Sequence, residues 1–166
     1  MADRRMISKL AKALVAELTS KGKSVSTAES CTGGWIAKAI TDVPGSSQVF
    51  AYGIVSYSNG AKESLLGVAG STLESNGAVS EAVVQEMANG ALNLSGADIA
   101  IAVSGIAGPD GGSDGKPVGT VWFAWSVRND SGATTTTERQ VFSGDRDLVR
   151  ALTVAYALQG VRERIA

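Results

Sequence analysis

The sequence predicts an α/β protein, a three-layer α/β/α sandwich with a mixed, partly parallel sheet. Segments with helical periodicity alternate with short β-prone runs in the first part of the chain, and a hairpin pattern follows late. The apolar run at 98–104 has the composition of a strand that is covered on both faces. With 166 residues, of which 44% are hydrophobic, we expect one domain spanning 1–166 around one core.

The first half of the chain predicts three helices and two strands. An apolar stripe at i, i+3, i+4 spacing indicates a first helix that ends at Lys21 and Gly22. The stripe consists of Ile7, Leu10, Ala11, Leu14, Val15 and Leu18. The segments expected after it are a strand at 24–28, a helix at 35–40, a strand at 48–57 and a helix at 59–68 that begins near Ala61.

Capping signals predict two helices in the middle of the chain. Ser71 and Glu74 have the spacing of a capping box, in which each side chain bonds an amide at the start of the helix. Ser80 is expected to cap a longer helix that reaches about Leu94, and Glu81 is favourable in its first turn.

The last third predicts a central strand, a loop, a hairpin and a helix. We expect the run at 98–104 to lie in the middle of the sheet. The stretch that follows it, GIAGPDGGSDGKPVG, is rich in glycine and must be a loop. The remaining elements are strands at 120–127 and 134–142, a turn at 129–132, and a helix from Asp145 onward.

Composition excludes several function classes. Lysine and arginine total 15 against 16 aspartate and glutamate residues, so the chain lacks the positive charge that nucleic acid attracts. No stretch approaches the roughly 18 apolar residues that span a membrane, and charges interrupt the first helix where a signal peptide would be apolar. The single cysteine, Cys31, excludes an intramolecular disulfide. We therefore expect a cytoplasmic protein that binds neither nucleic acid nor membranes.

The chain contains no histidine. This absence excludes a serine–histidine pair, a histidine general base and a zinc site with histidine ligands. A catalytic serine in this chain would need a base of another residue type.

A candidate nucleophile, Ser30, lies in SVSTAESCTGG, where a strand is predicted to turn into a helix. The first amides of a helix have no partners within the helix, so those at 30–33 could bind a developing oxyanion. Alternatively, Ser30 or Thr32 only caps the helix, which is the commoner role. Cys31 could be the nucleophile instead, but little would activate it, and we interpret it as a buried small residue.

A candidate base, Lys62, follows in YSNGAK at the start of the next predicted helix. It must be neutral to accept a proton, and burial or a neighbouring cation would favour this by lowering its pKa. Tyr57 could relay or orient the proton. In the alternative interpretation both residues are exposed on the surface. Sequence spacing does not show whether Lys62 or Tyr57 contacts Ser30.

Two further segments could bind a phosphate. SGIAGPDGG follows the predicted central strand, where glycines let main-chain amides approach a ligand closely. It matches neither the P-loop nor the GxGxxG spacing, so an ordinary loop is the alternative. Arg146, in SGDRD, could bind a phosphate with two parallel hydrogen bonds, or form a surface ion pair.

Taken together and in order, six segments resemble the CinA C-terminal domain family. They are STAESCTGGWIAKAITDVPGSS, YGIVSYSNGAK, GAVSE, SGIAGPDGG, KPVGTVWFAW and FSGDRD, and the similarity covers about residues 10–158. The resemblance implies a homodimer or larger homo-oligomer that converts nicotinamide mononucleotide to nicotinic acid mononucleotide and ammonia, with neither a metal nor a cofactor.

The matching positions imply roles for individual residues. Ser30 is implied as the nucleophile, Lys62 as the base and Tyr57 as its assistant. The residues expected to bind substrate are Thr32, Gly33, Gly34, Ser104, Gly105, Ile106, Ala107, Gly108 and Arg146. Two alternatives remain open: a nucleotide-binding regulatory protein without turnover, and a Ser-Lys amidase that acts on another carboxamide.

Overall fold

The computed structural model describes residues 2–165 of the chain. Its elements in chain order are α1 (Ala2–Lys21), β1 (Val25–Glu29), α2 (Trp35–Thr41), a 3-10 turn (Ser46–Gln48), β2 (Ile54–Val55), α3 (Asn59–Leu66), α4 (Gly70–Asn76), α5 (Glu81–Ser95), β3 (Ile99–Gly105), β4 (Thr120–Asn129), β5 (Gly132–Val141) and α6 (Arg146–Arg164). Among these residues, no helix combines the length and the apolarity needed to cross a bilayer.

The five strands form one mixed sheet in the order β2-β1-β3-β4-β5. β2, β1 and β3 are parallel, and β3, β4 and β5 are antiparallel to one another in turn. β3 lies in the middle of the sheet, as its composition predicts. Because β1 and β3 are parallel neighbours, their carboxyl ends meet at one edge of the sheet, which is where ligands bind in open α/β sheets.

Helices cover both faces of the sheet and form the three predicted layers. α1, α2 and α6 pack on one face, and α3, α4 and α5 pack on the other. The side chains of β3 alternate between these layers. Ile99 and Ile101 point toward α1 and α6, whereas Ala100 and Ala102 point toward α5. The alanines leave room for α5 to lie close against the sheet.

Two predictions differ from the structure: the length of one strand and the cap of one helix. The strand expected at 48–57 has only the pair Ile54–Val55, because the carbonyl of Ser46 accepts from the amides of Val49 (2.9 Å) and Phe50 (3.0 Å) and closes a turn there. The capping box at Ser71 is also absent. α4 already begins at Gly70, and the carbonyl of Ala69 accepts the first helical bonds, so Ser71 lies inside the helix.

The predicted cap at Ser80 and the predicted start of the last helix at Asp145 are confirmed. The hydroxyl of Ser80 accepts from the amide of Val83 at 3.3 Å and begins α5. The carboxylate of Asp145 likewise accepts from the amide of Leu148 at 2.9 Å, so α6 begins where the sequence predicts. This cap makes Arg146 the first residue of α6.

Candidate active site

Ser30 directly follows β1, at the carboxyl edge of the sheet. Its amide donates to the carbonyl of Val103 in β3 at 3.1 Å, which continues the sheet by one residue. The chain then forms a short arch, residues 30–34, before α2 begins. Gly33 and Gly34 have φ values of 59° and 100°, a left-handed region that side chains disfavour. The two glycines let the chain turn sharply beside the serine.

Lys62 reaches Ser30 from the other side of β1. Its ammonium nitrogen Nζ lies 2.9 Å from Ser30 Oγ, 2.9 Å from the carbonyl oxygen of Ser56 and 3.3 Å from that of Tyr57. Ser58 caps α3 by accepting from the amide of Ala61 at 3.1 Å, which sets Lys62 in the first turn. The fold thus brings together two side chains that lie 32 positions apart in sequence.

The surroundings of Lys62 favour its neutral form. The side chain is only 1% exposed, and this burial lowers the pKa of the amine from its ordinary value. Within residues 2–165, no carboxylate lies within 4.0 Å of Nζ. A neutral amine has two N–H donors and one lone pair, so the two carbonyls can accept the N–H groups while the lone pair accepts from the Ser30 hydroxyl.

The start of α2 does not serve Ser30 as the sequence suggests. Ser30 precedes α2 by five positions, and the N-cap is Gly34, which offers no side-chain cap. The amides of Ile36 and Ala37 instead donate to the Glu29 carboxylate, at 2.8 and 3.0 Å. The helix start is therefore occupied, and the expectation that Ser30 or Thr32 caps it is also wrong.

Of the four amides at 30–33, where the sequence predicts an oxyanion site, two have no main-chain acceptor in the described chain. The amides of Ser30 and Gly33 donate to the carbonyls of Val103 and Ser30, so they cannot contribute to the predicted oxyanion site. The amides of Cys31 and Thr32 donate to no main-chain carbonyl among the residues described. Of these two residues, Cys31 also lines the cavity at Ser30. The amide directly after a nucleophilic serine is a common oxyanion donor.

Cys31 is a buried thiol, in line with its interpretation from sequence. Burial raises the pKa of the thiol to about 12, with a further contribution from the neighbouring Glu29 carboxylate. The thiolate is therefore scarce at neutral pH, and the thiol is a weak nucleophile.

Tyr57 contacts Lys62 through its main chain. The ring is 60% exposed, and its hydroxyl accepts from Arg146 Nη2 at 3.1 Å. Arg146 Nη1 also donates to the carbonyl of Gly108 at 2.8 Å. The guanidinium therefore links the turn before α3 to the glycine-rich loop. A role for the Tyr57 hydroxyl in moving the proton of Ser30 stays a prediction.

A cavity of about 240 Å³ joins most of the predicted residues. The predicted residues that line it are Ser30, Tyr57, Lys62, Ser104, Gly105, Ala107 and Arg146, and sequence reasoning missed Asn59, Ala78 and Val79. Asn59 precedes Lys62 by three positions in α3 and so shares its face, a signal that the sequence contained.

The other predicted binding residues lie outside this cavity. The hydroxyl of Thr32 is buried and donates to Glu29 Oε1 at 2.6 Å. Gly33 and Gly34 line a neighbouring hollow beside Trp35. Ile106 pairs its main chain with Gly119 and Thr120, and Gly108 contributes its carbonyl to Arg146. No group of three or more metal-binding side chains occurs in the part of the chain that the structure describes.

Comparison with known proteins places these features in a family. The family profile described as "CinA C-terminal domain" matches residues 7–165. A protein of Escherichia coli strain K12, named nicotinamide-nucleotide amidohydrolase PncC, is 58% identical over 142 residues, which cover 86% of this chain and 84% of that protein. A Pseudomonas putida protein of the same name is 52% identical over 155 residues, covering 93% and 94%.

Solved structures agree with the sequence relatives. The crystal structure of the competence/damage inducible protein CihA from Agrobacterium tumefaciens superposes with a TM-score of 0.92 at 44% identity, covering 95% of this chain and 94% of that one. A CinA superfamily protein from Klebsiella pneumoniae has a TM-score of 0.89 at 44% identity, covering 95% and 96%.

Proposed function

The chain belongs to the CinA C-terminal domain family, and from this premise we propose that it hydrolyses the carboxamide of nicotinamide mononucleotide to nicotinic acid mononucleotide and ammonia. The observation that carries the proposal is the 2.9 Å contact between Lys62 Nζ and Ser30 Oγ in a chain with no histidine. Relatives named for this activity cover most of the chain at more than half identity.

In the first step, Lys62 accepts the proton of the Ser30 hydroxyl while Oγ attacks the carboxamide carbon. The carbonyl oxygen becomes an oxyanion and accepts from the amide of Cys31, a residue that lines the cavity at Ser30. A well-placed donor of this kind contributes about 3 to 4 kcal/mol to transition-state stabilisation in other enzymes. We assign this role to the Cys31 amide because it donates to no main-chain acceptor within the described chain and because Cys31 lines the cavity.

In the second step, the protonated Lys62 donates its proton to the leaving nitrogen, the C–N bond breaks, and ammonia departs. Water then attacks the acyl-enzyme while Lys62 accepts its proton, and the C–Oγ bond breaks. The Lys62 proton returns to Ser30 Oγ, which restores the enzyme and releases the carboxylic acid. The carbonyls of Ser56 and Tyr57 hold the amine in place throughout, since each accepts one N–H group.

Arg146 is proposed to hold the 5′-phosphate of the substrate. Its contacts with Gly108 and Tyr57 use two of the five N–H donors of a guanidinium. A planar guanidinium binds phosphate through two parallel hydrogen bonds, and this positions the substrate without touching the reacting bond. Ser104 and the main chain of Gly105 and Ala107 would contact the nucleotide between the two ends of the cavity. We also propose a cytoplasmic homo-oligomer as the working form.

The test is turnover of nicotinamide mononucleotide by the purified chain and its Ser30→Ala variant. We expect the wild type to release ammonia together with the carboxylic acid product, which mass spectrometry distinguishes from the carboxamide substrate by its higher mass. Ser30→Ala should release neither. Ser131→Ala, in the exposed hairpin turn, is the matched control and should retain full activity. Full turnover by Ser30→Ala would refute the assignment of the nucleophile.

Two other results would redirect the proposal. Calorimetric binding of the mononucleotide without any ammonia release would indicate a regulatory protein that keeps the pocket. Release of ammonia from other carboxamides, with none from nicotinamide mononucleotide, would keep the Ser-Lys chemistry and reject the substrate.

A further inference from the structure

Glu29 immediately precedes Ser30, yet the mechanism above makes no use of it. Its side chain is completely buried, and in residues 2–165 no lysine or arginine forms a salt bridge with it. A buried carboxylate without a counter-ion is costly unless hydrogen-bond donors surround it. Here three donors do so, and all three belong to the arch at 30–34 or to the helix that follows it.

The carboxylate bonds one residue of the arch and the first turn of α2. Oε1 accepts from the hydroxyl of Thr32 at 2.6 Å and from the amide of Ile36 at 2.8 Å, and Oε2 accepts from the amide of Ala37 at 3.0 Å. Arg150 also donates to the carbonyls of Cys31 and Thr32, each at 3.1 Å. The arch is therefore held by the side chains of both Glu29 and Arg150.

The main chain of Glu29 also connects to the base. Its carbonyl accepts from the amide of Ser56 at 2.8 Å. The carbonyl of Ser56 in turn accepts from Lys62 Nζ at 2.9 Å. One residue is thus bonded to the segment that carries the nucleophile and to the segment that orients the base.

We propose that Glu29 is a positioning residue for the Ser30 nucleophile, whose buried carboxylate fixes the arch so that Ser30 Oγ meets Lys62 and the Cys31 amide faces the oxyanion. This inference rests on the proposed function. A positioning role and a purely structural cap predict different results: loss of a positioning residue should slow the chemical step more than it weakens substrate binding. The proposed phosphate contacts come from Arg146 and the glycine-rich loop, which do not touch the carboxylate.

Glu29→Gln tests the inference with almost no change in volume. An amide has one acceptor oxygen and one NH₂ donor, whereas both oxygens of Glu29 accept from main-chain N–H groups. In either orientation, the new NH₂ group faces an N–H group of Ile36 or Ala37, so a hydrogen bond between Glu29 and α2 is lost and the arch between them loses a constraint. A displacement of about 1 Å costs on the order of 100-fold in rate in other enzymes. We expect kcat to fall by about 10- to 100-fold and KM to change less than about twofold.

Asp98→Asn is the matched control. Its carboxylate accepts from the amide of Ser24 at 2.8 Å. Asp98 directly precedes β3, so it lies at the amino ends of the parallel strands, away from Ser30 at their carboxyl ends. The same carboxylate-to-amide change there should leave kcat and KM unchanged. A kcat for Glu29→Gln close to that of wild type, or an equal loss in Asp98→Asn, would overturn the inference.

Two further measurements keep the test decisive. If circular dichroism shows that Glu29→Gln is unfolded, Glu29→Asp takes its place, because it keeps the charge but has a shorter side chain. A loss in kcat with normal KM then supports the inference, and a normal kcat overturns it.

If the wild type does not deamidate the mononucleotide, the proposed function fails. The rate at which a fluorophosphonate labels Ser30, read by intact mass, then decides: slower labelling in the Glu29 variant than in wild type and Asp98→Asn supports positioning, and equal rates reject it.

Discussion

Replacing Lys62 by arginine and by methionine separates the basicity of this residue from its charge and its bulk. Arginine keeps the positive charge but cannot become neutral at working pH, whereas methionine keeps an unbranched side chain without a basic nitrogen. Because Nζ is 2.9 Å from Ser30 Oγ, proton transfer is direct, and the full effect of a general base should be lost. That effect is about 10²- to 10⁴-fold, or about 3 to 5 kcal/mol at 1.36 kcal/mol per factor of ten.

The stability of the methionine variant should change much less than its activity. Lys62 donates hydrogen bonds to the carbonyls of Ser56 and Tyr57, each worth about 1 kcal/mol net. Removal of a buried amine relieves part of this loss, since burial disfavours its charged form. We therefore expect the free energy of unfolding to fall by about 2 kcal/mol or less, so the variant stays folded.

The assay is ammonia release from nicotinamide mononucleotide at saturating substrate, with folding checked by circular dichroism. Lys62→Ala supplies a further check, because it leaves space that a small primary amine in the buffer can fill. Added ethylamine should restore part of the activity of Lys62→Ala and none of that of Lys62→Arg. Turnover by Lys62→Arg or Lys62→Met within tenfold of wild type would refute the assignment of Lys62 as the base.

Three other predictions concern the same site and the core. Burial lowers the pKa of Lys62 from 10.5, so kcat/KM should rise with pH and level off above an apparent pKa that lies below 10.5. Between the pKa of the folded protein and 10.5, the unfolded chain binds one more proton, so the stability of wild type relative to Lys62→Met should increase with pH in urea titrations. A stability difference that does not change with pH would contradict burial as the cause. Arg146→Gln should raise KM for the mononucleotide by at least about tenfold and lower kcat less, because it removes a charged phosphate contact worth roughly 1.5 to 3 kcal/mol; an unchanged KM in initial-rate assays would show that the phosphate binds elsewhere. Gly160→Ala should lower the free energy of unfolding by about 1 to 3 kcal/mol, because its Cβ would overlap ring atoms of the buried Trp125; a urea midpoint equal to that of wild type would contradict this packing.

Local chemistry explains which parts of the fold were predictable. The central position of β3 followed from its apolar composition, and the N-terminal starts of α5 and α6 followed from the sequence at Ser80 and Asp145. A cap or a covered strand is decided by residues that are close in sequence, so their pattern is sufficient.

The two predictions that differ from the structure show where this reasoning ends. β2 has strong β formers, but it lies at the edge of the sheet, pairs only with β1 and leaves Val55 about half exposed. Ser71 has the spacing of a capping box, yet the amide of Ala69 donates to Glu86 of α5 at 2.9 Å, a contact that only the tertiary structure provides. A local turn at Ser46 and the absence of a second neighbouring strand in the described part of the chain shortened β2, whereas a contact with the distant helix α5 overrode the capping signal at Ser71.

By itself, the sequence determined the α/β class and the residues able to carry the chemistry. It also excluded a histidine base, because the chain contains no histidine. Only the tertiary structure decided that Lys62 meets Ser30, that its amine is buried among carbonyls, and that Glu29 rather than a ligand occupies the start of α2. The physical reason is that residue type is a local property, whereas distance, burial and hydrogen-bond partners depend on how β1, β2 and α3 pack together.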